Sequence, residues 1–118
     1  MESILTSIKK MLGIAAEYTH FDPDIIMHIN SVFMTLTQLG VGPSKGFYIS
    51  DSLPIWTDFV DRDTLPDGIS YESVKSYMYM KVKLLFDPPA SGTVTETYNR
   101  LINEFEWRLN FAAESRDS

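Results

Sequence analysis

The stretch SYESVKSYMYMKVKLLFDPP (Ser70–Pro89) decides the fold. Ser70 offers a hydroxyl to the first free N–H groups of a helix, and Pro88–Pro89 forbid its continuation because neither has an N–H to donate. Between these stops Tyr71, Val74, Met78, Val82 and Leu85 recur at three and four residues, one helical face. Tyr77, Met80 and Leu84 recur in the same way on another side. A helix wet on one face needs only the first stripe, so this one is expected to be covered on two sides, by its own chain or by a second copy.

Working outward toward the N-terminus, Ile4, Leu5, Ile8, Met11 and Leu12 give one apolar face to a short helix over Ser3–Leu12, capped by Ser3 and ended by Gly13. Asp22-Pro23 marks the next start: a carboxylate able to cap, then proline where its missing N–H costs nothing. Phe21 is placed to meet an apolar residue in the following turn. Ile25, Ile29, Val32, Leu36 and Leu39 continue this helix, widened by Ile26 and Phe33, up to Gly40. Gly40–Trp56 reads as a loop with a short extended piece at Phe47–Ile49. A helical turn within Leu53–Val60 tucks Trp56 and Phe59 inward. Asp61–Gly68 is an acidic surface loop. Beyond Ala90–Gly92 a last long helix runs from Thr93 to Ala113, with Val94, Tyr98, Leu101, Ile102, Phe105 and Leu109 as its stripe and Trp107 and Phe111 on a different face. The tail at 114–118 is expected to fray. The fold class is therefore mainly α: a small bundle of about four helices, with a long loop or short extended segment between the second helix and the central one. At 118 residues it is expected to form a single domain over 1–118.

Chemistry is thin. Without cysteine there is no disulfide, thiolate nucleophile or cysteine-based zinc site. Asp24 and His28 are four apart, yet two ligands do not make a metal site, and His20 precedes the helix. Glu104 and Glu106, two apart, do not share a helix face. The glycines of Gly40–Gly46 lack P-loop spacing, and the aspartates of Asp61–Gly68 lack the ligand ladder of a calcium loop. Catalytic, cofactor-binding and metal residues are all expected to be none, and the chain is not expected to be an enzyme. A net charge of −6 argues against a nucleic-acid binder, because Lys75, Lys81 and Lys83 spread widely around a helix. No apolar run approaches the roughly 18 residues that span a bilayer, and the N-terminus does not read as a secretory signal. What is in excess is apolar surface. Tyr77, Met80, Leu84, Trp107 and Phe111 are aromatic, Met and Leu positions of the kind found at oligomer interfaces. The other reading is that they close the bundle together with Trp56, Phe59 and the first helix.

Three stretches, HINSVFMTLTQLGVGPSKGF (His28–Phe47), SYMYMKVKLLFDPP (Ser76–Pro89) and INEFEWRLN (Ile102–Asn110), together resemble the head–tail connector, or adaptor, proteins of tailed phages and prophages of Gram-positive bacteria. The likeness covers residues 3–112 in order, and its motifs concern packing and turns. It implies a helical subunit of a ring, usually of twelve copies, in the virion at the head–tail junction, assembled in the host cytoplasm. Such a ring docks under the portal protein, extends the DNA channel without sequence-specific contact and offers a platform to the next neck or tail protein. An acidic chain suits a DNA conduit, since like charge keeps the genome from sticking. A ring also needs two different faces on each copy. The docking loops expected from this resemblance carry Gly42, Lys45, Phe47 and Tyr48 in one, and Asp61, Asp63 and Asp67 in the other. Alternative readings are another morphogenesis or tail-completion factor, or a non-catalytic cytoplasmic binding module.

Overall fold

The computed structural model describes the backbone of residues 2–117 and the side chains of residues 2–112. Among these residues the order is α1 (Ile4–Met11), α2 (Asp22–Gln38), the single turn α3 (Trp56–Phe59), a 3-10 turn (Arg62–Thr64), α4 (Tyr71–Phe86) and α5 (Gly92–Asp117), with no strand beyond one isolated bridge between Ser3 and Ile55. The mainly helical bundle expected from the sequence is the fold observed. Its ends lie where capping chemistry puts them. Ser3 and Ser70 accept hydrogen bonds from the N–H groups of Thr6 and Ser73, and Gly13 and Gly40 take the positive φ that ends α1 and α2. α5 begins at Gly92, and its backbone stays helical to Asp117, through most of the tail expected to fray; Ser118 lies outside the described residues.

α4 is the organising element, as its sequence implies. α2 packs along one of its sides and α5 along the other, and α1 lies against both α2 and α4. Tyr71, Val74, Met78 and Val82 are buried among Ile4, Ile8, Ile29 and Phe33. The cover on α4's second side also comes from the same chain: Tyr77 is fully buried and stacks on Phe105 of α5 at 4.8 Å, with Met80 and Leu84 half-buried beside the core. Leu85, expected in the first stripe, is 55 % exposed, so that stripe ends at Val82. The short pieces are pinned to α1. Ile4 N–H donates to Pro54 O at 3.0 Å, and the buried Trp56 donates from Nε1 to Ser7 Oγ, also at 3.0 Å.

Two features escape periodicity. The side-chain amide of Asn30 bonds both backbone groups of Ile49, at 2.8 and 2.9 Å, doing for the extended segment what a neighbouring strand would do. Asp22, expected to cap α2, instead reaches Lys9: their Nζ–Oδ1 separation is 2.8 Å, and no other hydrogen-bond donor meets that oxygen. The Lys9 ammonium also donates to the carbonyls of Ala16 and Tyr18, so a buried charge is met by three oxygens and binds the α1–α2 linker to α1. Phe21 sets its ring edge-on against Phe86 at 5.3 Å.

Candidate functional site

Because α4 is covered along both of its long sides by its own chain, surfaces for partners are sought on the outer elements and at the exposed end of α4. On α5, Ile102 and Leu109 turn into the core while Phe105 covers Tyr77. The helical angle of ~100° per residue then carries Trp107 and Phe111 to the opposite side. They are 67 % and 58 % exposed and stack on each other, with centroids 5.6 Å apart and planes 16° from parallel. Trp107 and Phe111 thus stand apart from Trp56 and Phe59, which lie in the core, and bundle closure does not account for them.

The α4–α5 seam holds the remaining interface candidates, and it is polar at its edge. Tyr77 donates its hydroxyl to Glu106 Oε2 at 2.6 Å, and Lys81 reaches the same oxygen at 3.3 Å while lying over the Tyr77 ring. Burial, then the hydrogen bond to the Glu106 carboxylate, raises the Tyr77 pKa far above its ordinary value. Further along, Tyr79 is pushed up to about 12, first by its hydrogen bond with Tyr98 and then by burial. A cleft of about 400 Å³ opens at the mouth of the seam, where Met80, Leu101 and Phe105 meet Arg108. Tyr77 itself belongs to the inside of the chain.

A second apolar surface forms at the corner where α1 ends, α2 begins and α4 ends. Leu12, Ile14, Phe21, Met27, Leu85 and Phe86 line a groove of about 620 Å³. Met27 and Leu85 are each more than half exposed. Asp24, His28 and Asp87 edge the groove. Asp87 pairs with Lys83 at 2.8 Å, whereas Asp24 and His28 make no ion pair with each other or with any other described residue. Sequence periodicity missed this groove because it joins residues from three separate elements. The exposed Leu85 within an otherwise buried stripe is the structural sign of it.

The two loops expected to dock partners come together. Gly40–Pro43 and Thr57–Thr64 face each other across a cleft of about 380 Å³ containing Gly42 and Asp61. Gly42 has a local reason to be glycine. Its φ is +89°, and a Cβ there would lie 2.4 Å from Phe59 Cε1. Phe47 is likewise half-buried, edge-on against Phe33 at 5.0 Å. Lys45, Asp61, Asp63 and Asp67 are exposed, and Tyr48 is 75 % exposed beside Met34 in a separate cavity of about 430 Å³.

Among the described residues no three His, Asp or Glu side chains group closely enough to hold a metal, and no helix is long and apolar enough to cross a membrane. No curated protein and no solved structure gives a significant match to the chain. A family model described as "Phage connector protein" does match, over residues 4–116. That span contains all five helices except the last residue of α5, including both apolar surfaces, and the chain belongs to the phage connector family.

Proposed function

We propose that this protein is a subunit of the ring at the head–tail junction of a tailed phage, docking under the portal protein, extending the DNA channel and presenting a platform to the next neck or tail component. The observation that carries the reading is an imbalance of apolar surface. The chain covers both sides of its own central helix and still exposes two unlike surfaces on different elements, the Trp107–Phe111 pair and the groove at the α1–α2–α4 corner. A closed ring needs such a pair of unlike faces, because each copy meets its two neighbours differently. The net charge of −6 favours a lining that does not grip the genome. The juxtaposed loops, with Lys45, Tyr48, Asp61, Asp63 and Asp67 outward, are the part offered to portal or neck. The role is structural, with no reaction and no cofactor.

Mass spectrometry of purified, DNA-filled particles tests this reading. The chain is expected at the same copy number as the portal. Its absence from particles overturns the proposal, and a copy number unrelated to the portal's moves the protein to another morphogenesis role.

A further inference from the structure

The aromatic pair on α5 and the corner groove are both apolar, and they lie at different places on the chain. The pair is exposed and stacked on itself; the groove is concave and lined by six apolar side chains. Being 67 % and 58 % exposed, the two aromatic side chains still have about 200–300 Å² between them to bury, roughly a third of the ~800 Å² that each partner contributes to a stable interface. Their positions also forbid self-filling. The contacts Tyr79–Tyr98 and Tyr77–Phe105 show that α4 and α5 run antiparallel. Trp107 therefore lies level with the first turns of α4, while Phe86 of the groove is at the other end, about 18 Å away along the axis. The pair also faces outward from α5, and the groove is on the α1–α2 side of α4.

Arg100 and Arg108 flank Trp107 on the exposed part of α5, and neither makes an ion pair with another described residue. Asp24, on the groove's rim, is exposed and equally without one. Glu104 shares the helix face of the pair, so the match is carried by the arginines at the rim and not by net charge of the whole face.

We propose that Trp107 and Phe111 of one copy seat in the corner groove of the next copy, with Arg108 directed to Asp24. This rests on the ring reading above and assigns its subunit contact. The contact is head-to-tail: each copy gives its aromatic pair to one neighbour and its groove to the other.

The chain has no cysteine, so the introduced thiols are the sole ones it carries. An Asp24→Cys/Arg108→Cys double variant is oxidised alone and with portal protein, then run on non-reducing gels beside native mass measurement. A ladder extending beyond the dimer, at least tenfold more abundant than with either single variant, is the expected result. Oligomers by native mass without a ladder overturn the seat and leave the ring standing. Arg108→Cys alone crosslinking as fast as the double variant overturns it in favour of pair-on-pair dimers. No oligomer with or without portal overturns both the seat and the ring. Independently, Trp107→Ala is expected to weaken assembly at least tenfold with the melting temperature unmoved, and undiminished assembly in that variant rejects the seat.

Discussion

The two tryptophans of this chain live in opposite environments. Trp56 is fully buried, its indole N–H bonded to Ser7, its ring near Phe33 and the Lys75 ammonium. Trp107 is two-thirds exposed and touches another exposed ring. Trp56 sits on a helix of a single turn, an element too short to persist unaided, and it is that element's anchor. Trp107 sits on the longest helix, which holds its shape through Ile102, Phe105 and Leu109 without any help from the indole. One ring builds the molecule, and the other is left over once the molecule is built.

The comparison is broken most forcefully at Trp56. Trp56→Ala is expected to cost about 3–5 kcal/mol in denaturant unfolding, as for other large buried aromatic truncations. Next comes Gly42→Ala, which adds a methyl group against the Phe59 ring at a backbone angle unfavourable to alanine; ~2–4 kcal/mol is expected from crowding and strain together. A loss below ~1 kcal/mol would show that the loop relocates freely, so that Gly42 does not hold it against residues 57–64.

Tyr77→Phe removes one hydrogen bond to a carboxylate while leaving the stacked ring in place, and is expected to cost about 1.5–3 kcal/mol. Its pH dependence sharpens the assignment. Tyr77 and Tyr79 both have pKa values above the ordinary 10.0, so the native state keeps protons that the unfolded state gives up. Their contribution is fully present below pH 10 and declines as pH rises beyond it, toward about 12 for Tyr79. Melts between pH 8 and 11 are expected to show a shallower alkaline fall in Tyr77→Phe than in the parent. The smallest effect on folding is expected at Trp107, where Ala substitution changes stability by less than about 0.5 kcal/mol; a loss comparable to that at Trp56 would place the ring in the core after all.

Much of this is legible in the sequence itself. Caps at Ser3 and Ser70 and stops at Gly13 and Gly40 follow from local chemistry that acts whatever the rest of the chain does. Periodicity also placed Trp107 and Phe111 apart from the stripe of α5. It could not say whether the same chain or a second copy would cover α4's second side, nor that the first stripe stops short of Leu85, because Tyr77 and Leu85 look equally fit for burial until the neighbouring helices are placed. Asp22 was misread for a related reason. Cap and ion pair ask for the same carboxylate, and only the fold brings the Lys9 ammonium within 2.8 Å. The corner groove has no sequence signature, since Leu85, Phe86 and Asp87 lie far along the chain from the residues between Leu12 and His28 that form its other walls.

The lysine bound to that carboxylate has a use as a reporter. Amine-acylating reagents attack only an uncharged, accessible nitrogen, and Lys9 is 2 % exposed, hydrogen-bonded to the carbonyls of Ala16 and Tyr18 and ion-paired with Asp22. Its acylation therefore waits on the linker at residues 12–21 lifting away from α1. That linker carries Ile14 and Phe21 of the corner groove. The labelling rate at Lys9, set against that of exposed Lys10 beside it, becomes a clock for how often the groove comes apart, and an occupant that braces the groove from outside would slow it.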